Sequence, residues 1–142
     1  MPPSDPPRDR RSFKVAIICA LPLEAEKVRA VFDKCWEDEG KQYGKAEGDR
    51  NAYTTGVMGK HNVVLAHMAR MGSVNASAVA ANLHTSFPGI QLALVVGICG
   101  VVPIHPQTHE EIVLGDVIIS TSVIQYDFGR QYPNRFQRKR GA

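Results

Sequence analysis

Three stretches carry residue types that can do chemistry. The first is Glu24, which follows the apolar run Phe13 to Ala20 and the turn Leu21-Pro22-Leu23. A carboxylate just past a strand can serve as a general base or acid in the crevice above a sheet. An acid in a first helical turn is also favoured by the helix dipole, and neighbouring Glu26 shares that placement. Both readings stand open. The second stretch is Met71-Gly72, ahead of a helical pattern beginning near Ser73. Glycine there can bare helix N–H groups to an anion or hydroxyl, or simply act as a hinge. The third is Gly97-Ile98-Cys99-Gly100, which ends the unbroken apolar run Leu92 to Val96. Such glycines let a ligand or another backbone approach closely and permit φ > 0, or they only make a tight exit. In open α/β sheets ligands bind beyond the carboxyl ends of strands, where all three stretches fall.

Other chemistries find no support. Cys19, Cys35 and Cys99 show no C-x-x-C spacing, and the five histidines form no H-x-x-x-H or His/Cys cluster, so neither a metal site nor a disulfide framework is expected. No cofactor-binding pattern of the G-x-G-x-x-G or G-x-x-x-x-G-K-[ST] type occurs, nor a G-x-S-x-G elbow, so no cofactor is expected. The net charge of +3 is mild, and the terminal Arg138-Lys139-Arg140 reads as a solvated basic tail over 139–142. No basic surface interleaved with aromatics accompanies it, so nucleic acid is not an expected partner. Cysteine usage suits a reducing compartment, and no apolar run approaches membrane-spanning length. A cytoplasmic protein without membrane attachment is expected.

The elements that must position these residues follow in order. Residues 1–12 hold four prolines and read as a disordered leader. Phe13 to Ala20 and Leu92 to Val96 are apolar without alternation, the pattern of strands covered on both faces in a parallel sheet. Pro22 suits a first helical position, and Leu21, Ala25, Val28 and Phe32 fall on one face. Ala52 to Gly59 and Asn62 to Met68 read as an antiparallel hairpin. Val74 to Phe87 is a second helix, with Ala76, Val79, Ala80, Leu83 and Phe87 as its stripe and Ser73 as its cap. Ile112 to Gln125 predicts a long strand bent at Gly115-Asp116, and Tyr126 onward is turn-rich and ends in basic residues. Strand, helix and buried strand outline a βαβ architecture. At 142 residues this is one ordinary domain, spanning 13–138.

The ordered segments KVAIICALPLEAEKV, HMARMGSVNASAVAANL, LALVVGICG and LGDVIIST resemble the purine/uridine nucleoside phosphorylase superfamily. Within it they are similar to the methylthioadenosine/S-adenosylhomocysteine nucleosidase type, and most of all to nucleosidase-like domains at the N-termini of fungal NLR-type proteins. The resemblance implies a three-layer αβα fold with a mixed twisted sheet, truncated to the N-terminal part of the family domain. It implies cleavage of the N-ribosyl bond of a purine nucleoside, with Glu24 activating water. Ala69 to Gly72 then corresponds to the segment beside the ribose, which brings in Met71 and Gly72. Gly97, Ile98, Cys99 and Gly100 correspond to the turn backing base and sugar, whose last glycine is here Val101. The phosphorylases' Gly-x-Pro-x-Arg loop reads Cys19-Ala20-Leu21-Pro22-Leu23 with no arginine, which favours water over phosphate as acceptor. The family's ribose-binding Met-Glu pair and its purine-protonating aspartate have no counterpart here. Loss of that acid alone removes roughly 10²–10⁴-fold in rate, so the 142 residues by themselves are expected to be inactive. The rival expectation is a non-catalytic nucleoside-sensing or assembly module of an NLR-like protein. Either way the chain is expected to form a homo-oligomer or to associate with the missing half-domain.

Overall fold

The computed structural model describes residues 5–68, 73–105, 107–123 and 129–138, with no account of the side chains at 73 and 74. The chain divides into two units, Met1–Cys99 and Gly100–Ala142.

In the first unit, the strands β1 (Val15–Cys19), β2 (Lys34–Cys35), β3 (Ala52–Met58), β4 (His61–His67) and β5 (Leu92–Val95) form one sheet in the order β2-β3-β4-β1-β5. β1 runs parallel to both β4 and β5, while β2-β3 and β3-β4 are antiparallel, so the sheet is mixed. The helices α1 (Pro22–Ala30) and α2 (Ser73–Ser86) cover opposite faces. Alternate residues of β1 and β4 explain why these strands are apolar without a break. Ile17, Cys19, Val63 and Leu65 pack with Ala25 and Val28 of α1. Ala16, Ile18, Val64 and Ala66 pack with Val79 and Leu83 of α2 and with Phe87, Phe13 and Trp36. This is the α/β layering the sequence implies.

The hairpin forms at the expected place. Met58 pairs with His61, leaving Gly59-Lys60 as the loop, and Gly59 takes φ +59°, the glycine position of a type II′ turn. The stripe of α2 is narrower than its alanines suggest: Val79, Leu83 and Ser86 are buried while Ala76 and Ala80 are exposed. In residues 5–12, a short 3-10 turn spans Arg10–Ser12, capped by the Asp9 side chain accepting from the Arg11 N–H. The Tyr43 hydroxyl donates to the Pro7 carbonyl (3.0 Å), and an added Cβ at Gly89 would collide with the Arg11 main chain.

Two expectations are corrected. Leu92–Val95 is not a central strand covered on both faces; among the described residues it pairs with β1 alone, and all four of its residues are exposed. An unbroken apolar run shows that a strand tolerates cover on both faces, but α1 and α2 lie over β1 and β4. In the second unit, residues 112–123 form no strand. They turn at 114–115, where Gly115 takes φ +108°, and the Asp116 carboxylate accepts from the Val113 N–H (3.0 Å). β-branched residues favour a strand only where a partner strand exists. Beyond Tyr126, the described residues form a hairpin, β6 (Gly129–Tyr132) with β7 (Arg135–Arg138), joined by a turn at 133–134.

Candidate functional site

The parallel strands β4, β1 and β5 bring their carboxyl ends, His67, Cys19 and Val95, to one edge of the sheet. α1 starts just beyond β1. Leu21 is its N-cap and Pro22 its first residue, where the missing N–H costs no bond. Glu24 is then the third residue, the position from which a glutamate reaches back to cap the helix. Its Oε2 accepts from the N–H of Leu21 (2.9 Å) and of Ala20 (3.1 Å). Its Oε1 accepts from the N–H of Ile98 (2.9 Å), 74 positions along the chain. Glu24 as a residue is 8% exposed.

These bonds set its charge state. The Ile98 N–H, then the Leu21 N–H, hold the Glu24 carboxyl below its ordinary 4.5; burial opposes them and the Ala20 N–H assists. Glu24 is an anion with three of about four acceptor positions filled, leaving room for one further donor such as a water. Beside it, burial and then the Glu24 charge push the Cys19 thiol up from 9.0. Gly97 does not take a positive φ. It is glycine for space, because an added Cβ would stand 2.8 Å from Glu24 Oε1 and 3.2 Å from its carboxyl carbon.

Of the predicted site residues, the structure brings together Glu24, Gly97 and Ile98. Cys99 follows as an exposed free thiol, and Gly100 opens the second unit, where an added Cβ would meet no described atom within 4 Å. Met71 and Gly72 lie outside the described residues. Three participants were not singled out from the sequence. The Ala20 and Leu21 N–H groups follow from a glutamate three places after an N-cap, a spacing legible in the sequence. His67, at the end of β4, shares a bond with Thr54 (Oγ1 to Nε2, 3.0 Å), and only the register of β3 on β4 reveals it. Burial, then the Arg29 charge, hold its imidazole below the ordinary 6.5, against a smaller opposing effect of Glu37. No group of three or more His, Cys, Asp or Glu among the described residues is placed to hold a metal ion.

Residues 14–141 match the Phosphorylase superfamily. The chain belongs to that superfamily. A nucleotide-binding leucine-rich repeat (NLR)-like protein of Hyaloscypha variabilis is 32% identical over 132 residues, which cover 89% of this chain and 13% of that protein. The 5′-methylthioadenosine/S-adenosylhomocysteine nucleosidases of Mycobacterium bovis and Mycobacterium tuberculosis are each 31% identical over 115 residues, 81% of this chain and 39% of theirs. The chain therefore spans well under half the length of these relatives. No solved structure matches it. No helix among the described residues is long and apolar enough to cross a membrane.

Proposed function

We propose that this chain supplies the first-strand carboxylate and the strand-exit turn of a purine nucleoside-hydrolysing site, with Glu24 as the base. The water oxygen attacks the anomeric carbon, the C–N bond breaks with its electron pair leaving on the purine, and Glu24 takes the proton released by the water. The purine must gain a proton in turn. Neither the acid that delivers it nor the residues that grip the ribose are assigned among these 142 residues, and on this reading the chain by itself does not turn over. The observation that carries this reading is the convergence of Glu24 on Gly97 and Ile98, in a chain whose superfamily match runs from 14 to 141. Water is the acceptor, because the turn from Cys19 to Glu24 contains no arginine to bind phosphate.

The similarity to an NLR-like protein favours a second reading, a nucleoside-sensing or assembly module without catalysis. One set of measurements separates the two. Reducing sugar and free base are assayed with adenosine, inosine and methylthioadenosine, first with the 142-residue chain and then with a protein extended to the length of the nucleosidase relatives. Release only by the extended protein, unaffected by phosphate, is the result expected for the hydrolase. Nucleoside binding without release by either protein supports the module. A phosphate-dependent sugar 1-phosphate product overturns the choice of water.

A further inference from the structure

We infer that Glu24 Oε1 and the Ile98 N–H form a latch across the ends of β1 and β5, closed in this structure, and that Glu24 becomes a competent base only when the Gly97–Ile98 peptide releases it. The second half of this inference rests on the assignment of Glu24 as the base; the latch itself rests on geometry alone.

The bonds of the carboxylate are unequal in kind. Those from Ala20 and Leu21 lie within four residues of Glu24 and belong to the start of α1, so they persist while the helix does. The bond from Ile98 is the one that joins distant parts of the chain, and it can break without unwinding α1. Among the described residues, the β5 exit has few other ties. The Val96 N–H reaches the Ile18 carbonyl (3.0 Å), but the Val95 and Ile98 side chains are 84% and 73% exposed. Gly97 makes the closed state possible, because its missing Cβ leaves the space that the carboxylate occupies.

The chemical consequence follows from proton affinity. A carboxylate that accepts three N–H bonds holds its charge tightly and is a weak base. Release of Ile98 restores basicity and opens a second acceptor position on Oε1 for the attacking water. Among the described residues, the titratable groups facing this carboxylate are few. β1 offers the Cys19 thiol, residues 92–98 offer none, and His67 of β4, in register with Cys19, is bonded to Thr54 and influenced by Arg29 and Glu37.

The test is amide exchange by NMR on the 142-residue chain. In Glu24→Gln the amide oxygen can still face Ala20 and Leu21, while its NH2 cannot accept from Ile98. The Ile98 amide is then expected to exchange about tenfold faster or more, with Ala20 and Leu21 still protected. Gly97→Ala wedges the latch open with the carboxylate intact. It is expected to speed Ile98 exchange likewise and to raise the Glu24 carboxyl pKa toward the ordinary range. Should either variant fail to fold by circular dichroism, the wild-type titration suffices: the Ile98 amide resonance and the Glu24 carboxyl carbon are expected to share one midpoint. Separate midpoints, or Ile98 exchange unchanged in a folded variant, overturn the latch. Hydrolysis by the extended protein is read separately. If Glu24→Gln loses hydrolysis but leaves Ile98 exchange unchanged, the latch fails and the base assignment stands. If Ile98 loosens while hydrolysis survives, the latch is supported and the base assignment fails.

Discussion

Two apolar, β-branched stretches of this chain meet opposite fates. Val15–Cys19 is flanked by strands on both sides, has α1 on one face and α2 on the other, and buries four of its five residues. Residues 112–123 are half Val and Ile yet form no strand, and leave Val117, Ile119 and Val123 88% to 95% exposed. The difference lies in the surroundings and not in the composition. An apolar run states what a segment would bury; pairing strands and covering helices decide whether it does.

The largest expected effect tests the buried side of that contrast. Phe87 is fully buried, edge-on to Phe13 (ring centroids 5.4 Å apart) and to Tyr53 (5.0 Å). Phe87→Ala should cost about 3–5 kcal/mol in chemical denaturation, through lost burial and the cavity left behind. Ile119→Ala, at 88% exposure, should change stability by no more than about 0.5 kcal/mol. A large loss at Ile119 would mean that 112–123 is covered in solution.

The exposed side has its own consequence. Leu114, Val117, Ile119 and Val123 project from the second unit, and an apolar patch of this kind is a surface for association. The chain should self-associate at micromolar concentration in sedimentation velocity. Val117→Lys with Ile119→Lys should weaken that association at least about tenfold, since each side chain is worth roughly 1.5 kcal/mol or more when buried. A monomeric wild-type chain would sink this expectation.

Legibility from sequence divides along the same line. β1, the hairpin over 52–67, Pro22 at the helix start and Glu24 beside the strand exit were all readable, because each depends on neighbours within a few positions. The edge position of β5 was not, since it depends on which strands lie where the chain's own pattern is silent. Nor was the hairpin at 129–138, whose short strands are polar and basic. The buried group around Asp49 was equally hidden. Its carboxylate accepts from the Ser86 hydroxyl, 37 positions away, as well as from the Tyr53 hydroxyl (2.6 Å) and the Asn51 N–H (2.8 Å).

That group makes the first unit sensitive to acid. Burial pushes the Asp49 carboxyl up, but the Ser86 and Tyr53 hydroxyls, the Asn51 N–H and the Lys45 charge together carry it below 3.8. Glu24 lies below 4.5 and His67 below 6.5. Each binds its proton more readily in the unfolded chain, so stability rises with pH wherever these groups titrate. The His67 contribution is present above 6.5 and lost as pH falls through its lower folded value; the carboxylates follow at lower pH. On the alkaline side, Cys19 is raised above 9.0 and Tyr43 is pushed up to about 12, mainly by burial, so their contributions fade as pH rises through those folded values. Denaturant midpoints should be highest between about 6.5 and 9 and fall on both sides. Asp49→Asn should cost about 1–3 kcal/mol at neutral pH and flatten the acid limb. An unchanged acid limb in that variant would remove Asp49 from the account.

The smallest effect tests whether the proline-rich leader belongs with the covered core or with the bare segment. Its composition reads as disordered, yet the Tyr43 hydroxyl meets the Pro7 carbonyl at 3.0 Å, and the Tyr43 ring stands edge-on to Phe13 at 4.8 Å. Tyr43→Phe keeps the ring contact and deletes the one donor. If the leader is held to the first unit by this bond, the variant should lose about 0.5–1.5 kcal/mol in denaturant and be cut faster by trypsin at Arg8 and Arg10. The two readouts need not move together. Faster cutting with unchanged stability would mean that Pro7 is tethered without contributing to the core, which keeps Phe13 buried by α2 and β1 alone. No change in either would return residues 5–9 to the unpaired class of 112–123, and the contrast between covered and bare segments would then begin at the Asp9 cap.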